Sequence, residues 1–191
     1  MSQHAPKGIR YATNVQTSAV FVALISVGSY VSVPLPGSPV PIVLQNVFVV
    51  LTGIVLPFRW ASATMIVYLT IGAVGLPVFA GATGGLSHFA GPTGGFLIGY
   101  LPAVTVAAIV SRGTRRGAVP AYPIRLASAI VAGFTIPYLT GVPWLAFAAD
   151  LSYGQALLVG CLPFLPGDTL KAVVLFVVVR KLPNRIWRQS N

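Results

Sequence analysis

The 191-residue chain carries 12 Lys and Arg against 2 acidic residues, yet only 7% of it is charged and 55% is hydrophobic. With a mean hydropathy of +0.85, it lacks the roughly 25% of charged residues that solvate an ordinary globular surface. Composition therefore excludes a water-soluble globule and points to a helical protein of the bilayer.

A tail with Lys7 and Arg10 precedes the first predicted span, 13–33. Segment 34–41 holds Pro34, Pro36, Pro39 and Pro41, which stiffen a short connection and remove amide donors. Spans at 41–57 and 60–78 follow, separated by Arg59. Segment 79–93 is rich in glycine, which tolerates positive φ and lets backbone approach a ligand or a neighbouring helix closely. A fourth span at 94–111 leads to Arg112, Arg115 and Arg116, and a fifth covers 122–141. The segment 142–166 is apolar but interrupted by Pro143, Gly154, Gly160, Pro163 and Pro166, and it predicts a short helix or a partly inserted loop. The sixth span is 167–182. The expected fold is therefore all-α: one integral membrane domain over residues 1–191 with six transmembrane helices.

Uncharged runs at 15–33, 42–58, 60–79, 94–110 and 126–149 each approach or exceed the roughly 17–25 residues of a membrane helix. Their repetition excludes a lone signal peptide. Every basic residue except Lys171 lies near the end of such a run, so the charge does not form a face for phosphate contacts, and no nucleic-acid partner is expected. The first, third and fifth connections hold no Lys or Arg, whereas the others and both tails hold them. Positive residues accumulate on the cytoplasmic side. Both termini are accordingly expected in the cytoplasm, and an even number of spans agrees.

Within PFLPGDTLKAVVLF, Asp168 and Lys171 stand one helical turn apart in otherwise apolar sequence. Asp168 follows Pro166-Gly167, where a carboxylate can cap a helix. Lys171 is the one cation assigned to the outer half, and ionisable groups in membrane helices face cavities or substrate paths. The pair therefore reads as a ligand anchor, compatible with a capping role. Ser87-His88 lacks the second histidine or acid of a hydrolytic relay. Asp150 and Asp168 have no motif that would make them a proteolytic dyad. Two histidines and a single Cys161 offer no metal cluster. GPTGG is not a nucleotide loop, because the Lys-Ser/Thr ending is missing. Ala19 and Ala23, one turn apart on the first span, permit close approach of another helix, within the bundle or outside it.

Taken together, VPLPGSPVPIVLQNVFVVLTG, GLPVFAGATGGLSHFAGPTGGFLIGY and LPFLPGDTLKA resemble, in this order and spacing, the BioY family. These are biotin-specific substrate-binding subunits (S components) of energy-coupling factor (ECF) transporters. The resemblance spans about 15–180. It implies a six-helix fold with the vitamin pocket near the outer surface, closed by the first loop. It also implies partners: biotin, a transmembrane coupling protein and two cytoplasmic ATPase subunits, in a bacterial or archaeal cytoplasmic membrane. By the same resemblance Asp168 and Lys171 contact biotin, and the Gly-rich loop maps onto Gly84, Gly85, Gly91, Thr93, Gly94 and Gly95. Ala19 and Ala23 would dock the coupling protein. Asp168 suits the ureido N–H groups and Lys171 the ureido carbonyl. Tyr153, Phe96 and Trp144 are candidate walls by location. Backbone amides of the Gly-rich loop are candidates for the carboxylate. No cofactor and no catalytic residue is expected. The competing readings are an S component for another small vitamin, an intramembrane enzyme, or a channel, the last lacking a charged pore ring.

Overall fold

The computed structural model describes residues 7–112 and 122–181. Among them are eight helices: α1 (Lys7–Tyr30), α2 (Gln45–Val55), α3 (Phe58–Ala73), α4 (Ser87–Ala90), α5 (Gly94–Val110), α6 (Tyr122–Ala148), α7 (Tyr153–Gly160) and α8 (Leu165–Lys181). Between α1 and α2 the chain forms a small antiparallel ribbon, β1 (Ser32–Val33) against β2 (Ile42–Val43). This ribbon modifies the all-helical expectation. The prolines at 34, 36, 39 and 41 keep the segment out of helix, the chain reverses through a turn in which the Ser38 amide donates to the Leu35 carbonyl at 3.1 Å, and β2 takes the residues expected to begin the second span. Helix α2 is left with 11 residues, about 16 Å of rise against a hydrocarbon core of about 30 Å.

Helix α6 departs in the other direction. It continues past the expected end at 141 to Ala148, passing through Pro137 and Pro143. Membrane helices tolerate such prolines when side chains and packed neighbours satisfy the disturbed backbone. Here α6 runs through both prolines as one helix packed along α5. Ser152 then starts α7 with a reciprocal cap, its hydroxyl accepting from the Gln155 amide while the Gln155 side chain accepts from the Ser152 amide. This is the short helix expected within 142–166. Helices α7 and α8 meet at a bend of 50°.

Helix α1 over Tyr11–Tyr30 and helix α6 are long and apolar enough to cross a membrane, and α7 with α8 can act as a third, broken span. Helices α2 and α5 are apolar but shorter. Large apolar side chains point outward from several helices: Val27 on α1, Val131 and Leu139 on α6, Leu158 on α7, and Leu170 and Val173 on α8. Such a surface requires lipid rather than water. The chain is a helical membrane protein.

Helices α5 and α6 form the most extensive interface. A Cβ at Gly95 would collide with Trp144, and one at Gly99 with the Thr140 hydroxyl, so these positions need hydrogen at Cα for the helices to touch. Apart from Lys171, the cations whose side chains are described gather at one end. Arg112, just past α5, sits 4.1 Å over the Phe58 ring at the start of α3. Arg125, near the start of α6, donates to the Arg112 carbonyl, and Trp60 stacks edge-on against Tyr11 of α1. At the end of α8, Val179 packs with Tyr122 and Ile54 beside Arg180 and Lys181. The ribbon, α4 and α7 lie toward the opposite ends of these helices. Arg115, Arg116, Arg185 and Arg188, on which the charge reading also drew, lie outside the described residues.

Candidate functional site

The first turn of α8 carries Pro166, harmless where no helical amide partner is needed, and the Asp168 amide closes that turn on the Phe164 carbonyl at 2.8 Å. Asp168 and Lys171 then project from one face. Lys171 Nζ lies 2.8 Å from Asp168 Oδ1, and their side chains are only 15% and 10% exposed respectively. Two other helices complete the constellation. Asn46, in the first turn of α2, donates from Nδ2 to Asp168 Oδ1 at 3.0 Å. Tyr138, midway along α6, donates its hydroxyl to Asp168 Oδ2 at 2.6 Å. Lys171 also donates to the Val43 carbonyl at 2.8 Å and to Asn46 Oδ1 at 3.4 Å.

The capping expectation for Asp168 is corrected by this arrangement. Its two oxygens receive side-chain donors from α2, α6 and α8, so the carboxylate joins three helices rather than closing the end of one. A buried charge is tolerable only when paired and hydrogen-bonded, and both members of this pair are. The network also ties α8 to the end of β2 through Val43.

Two adjoining cavities open beside it. A small one, about 60 Å³, is lined by Asp168, Lys171, Asn46, Tyr138 and apolar neighbours including Phe134 and Phe164. A larger one, about 330 Å³, lies among Gln45, Phe79, Thr83, His88, Gly91 and Thr93. Val40, Pro41, Val43, Phe96 and Tyr100 line both. The combined surface offers a charged, hydrogen-bonding corner and an apolar body with a few neutral polar groups. It suits a compact ligand with one strongly polar head.

The other residues singled out from sequence fall in several places. Gly91 and Thr93 line the larger cavity. Gly84, Gly85, Gly94 and Gly95 line neither. Gly85 adopts φ of +111°, and a Cβ at Gly84 or Gly94 would strike the Leu76 or Phe89 carbonyl respectively, so these glycines shape the loop and its packing. Phe96 walls both cavities and meets Tyr138 edge-to-face. Trp144 supports the loop from behind by donating to the Gly91 carbonyl at 2.9 Å. Tyr153 begins α7, is 58% exposed and lines neither cavity. Ala19 and Ala23 lie on an exposed face of α1 with Val20 and Val27. Cys161 is half-buried and free.

Sequence reading missed Asn46, Tyr138 and Gln45. The pair Gln45-Asn46 interrupts the uncharged run 42–58 with two carboxamides, a signal that was available. Tyr138 gave none, since nothing local links it to a carboxylate 30 positions away.

Known proteins resemble this chain over most of its length. The BioY family model matches residues 2–188. The chain belongs to the BioY family. A probable biotin transporter BioY of Pyrococcus horikoshii is 37% identical over 171 residues, covering 90% of this chain and 96% of its own. The biotin transporter BioY of Rhodobacter capsulatus is 40% identical over 182 residues, covering 88% and 92%. A crystal structure of the S-component for biotin from an ECF-type ABC transporter superposes with a TM-score of 0.82 at 26% identity, covering 93% of this chain and 94% of that one. BioY membership thus spans nearly the whole chain.

Proposed function

We propose that this protein binds biotin near the outer membrane surface and delivers it for uptake as the S component of an ATP-driven ECF transporter. One observation carries the reading: a desolvated carboxylate and ammonium, held by three helices, beside a cavity of vitamin size in a chain of the BioY family. A cyclic urea offers two N–H donors and a polarised carbonyl. Asp168 accepts from the former and Lys171 donates to the latter, and charge-assisted bonds of this kind are strong in a dry site. Because the pair is already satisfied internally, biotin takes the place of Asn46, which donates to Asp168 and accepts from Lys171, while Tyr138 and the Val43 carbonyl stay engaged. Phe96, Tyr100 and the prolines of the first loop enclose the apolar ring.

On this reading six segments lie in the bilayer, with α2 reaching across together with the ribbon that precedes it, and both termini are cytoplasmic. The gathering of Arg59, Arg112, Arg125 and Arg180 at one end supports that orientation. The exposed Ala19–Ala23 face of α1 serves as the dock for a coupling protein, which with two ATPase subunits supplies the power stroke. Gly91 and Thr93 contact the ligand, while Gly84, Gly85, Gly94 and Gly95 set the loop's shape around it. Titration of the purified protein with biotin by calorimetry tests the reading. Saturable one-to-one binding is expected, and no heat or exchange with biotin at millimolar concentration would refute it.

A further inference from the structure

The larger cavity has a polar wall that the Asp168–Lys171 network does not reach. Gln45 opens α2, is only 1% exposed, and lines this cavity. Its side-chain amide nitrogen is buried without a hydrogen-bond partner. The adjacent Asn46 is the reverse case, its amide nitrogen held by Asp168 and its oxygen facing Lys171. Of two neighbouring carboxamides, one is built into the anchor and the other stands free. Buried donors in folded proteins are nearly always satisfied, so an orphan beside a cavity calls for an acceptor from outside the chain.

The position of Gln45 is fixed from behind. Gly28 of α1 packs against it so closely that an added Cβ would lie 3.0 Å from the Gln45 Cα. The cavity combines apolar Val40, Pro41, Val43, Phe79 and Leu97 with the polar Thr83, Ser87, His88, Thr93 and Tyr100, and none of these groups accepts from the Gln45 amide nitrogen. A buried donor that the chain itself leaves unpaired discriminates strongly, because a ligand without the matching acceptor leaves it orphaned.

We propose that Gln45 donates its side-chain amide to an acceptor oxygen of the bound small molecule and thereby determines what the larger cavity admits. This rests on the biotin reading above. Biotin has oxygen acceptors at both ends, the ureido carbonyl and the carboxylate. With the ureido ring at Asp168 and Lys171, the shared wall of Val40, Pro41, Val43, Phe96 and Tyr100 directs the tail into the larger cavity. The carboxylate is then the oxygen that Gln45 meets.

The test compares wild type, Gln45→Met and Gln45→Glu by thermal melting without ligand and by calorimetric titration with biotin and with biotinol, whose carboxylate is replaced by a hydroxymethyl group. Gln45→Met keeps the side-chain length and removes the orphan donor, so the ligand-free protein should melt at or above the wild-type temperature. Its biotin affinity should fall about 10- to 100-fold, the range for losing a hydrogen bond to a charged group. Gln45→Glu, which opposes a carboxylate, should bind biotin more weakly still. With biotinol the loss in Gln45→Met should shrink to about threefold or less. An equal loss with both ligands would also support the donor role and assign it to the ureido carbonyl. Wild-type affinity for biotin in Gln45→Met overturns the proposal, as does a lowered melting temperature with affinity intact. If Gln45→Met does not fold, Gln45→Glu decides alone, and unchanged affinity there is equally fatal. Failure of the wild type itself to bind biotin defeats the underlying reading, and this proposal with it, before any variant is measured.

Discussion

Replacing Lys171 with Met gives the most direct measure of the three-helix anchor. The thioether side chain retains the apolar stem and most of the volume, but it donates nothing to Asp168, Asn46 or the Val43 carbonyl. Breaking a desolvated charge pair by removing one member typically costs about 2–5 kcal/mol, much of it the penalty of leaving the other charge alone. Asp168 keeps two donors, Asn46 and Tyr138, so its charge is not wholly abandoned. That places the loss in the lower part of the range, about 2–3 kcal/mol, or roughly 30- to 160-fold in affinity. Lys171 also holds the end of β2, so the ligand-free variant should melt lower as well. Biotin titration and melting curves on purified protein separate the two effects. Affinity within twofold of wild type, in a protein that melts lower, would show that the pair only braces the helices and would remove it from the binding site.

Tyr138→Phe deletes one neutral donor to a charged acceptor while leaving the ring against Phe96, and affinity should fall by about 10-fold in calorimetry. An increase would argue that biotin must displace the phenol. Ala19→Trp with Ala23→Trp should leave biotin binding unchanged but abolish co-purification with a coupling module, whereas intact assembly would move the dock elsewhere. In a Cys161→Ala background, a membrane-impermeant thiol reagent applied to cells should label Ser87→Cys and spare Arg112→Cys, both positions being exposed. The opposite pattern would invert the topology. Gly95→Val should prevent the contact between α5 and α6 and sharply reduce the yield of folded protein.

The anchor was legible because charge is scarce in this chain: an aspartate and a lysine one turn apart inside apolar sequence have few bland explanations. What surrounds the anchor was not, because Asn46 lies 122 positions from Asp168 and only the convergence of α2, α6 and α8 brings them together. Helix boundaries came through wherever charge marked an end, as at Arg59 and Arg112. They failed where proline was taken as punctuation. Pro143 lies inside α6, and the cluster around Pro41 creates a ribbon that shortens α2. Glycine was the most ambiguous letter, since a residue that lets a ligand approach and one that lets a helix approach look identical in sequence. Tyr153 was chosen for its place beside a predicted loop, but the cap at Ser152 starts a helix that turns the ring outward.

The loop between α1 and α2 is fastened at two places of unequal strength. At its base Lys171 holds the Val43 carbonyl through a charged donor. At its tip the Ser38 hydroxyl donates to the Val159 carbonyl of α7 at 2.7 Å, a neutral contact. Charged hydrogen bonds are roughly twice as strong as neutral ones, so thermal opening starts at the tip and swings on the base. A latch and a hinge on one short, proline-stiffened segment give the cavity a door with a defined edge. On the biotin reading proposed above, Ser38 tunes the ligand's residence time without lining either cavity, and Ser38→Ala should shorten that time while leaving the polar anchor untouched.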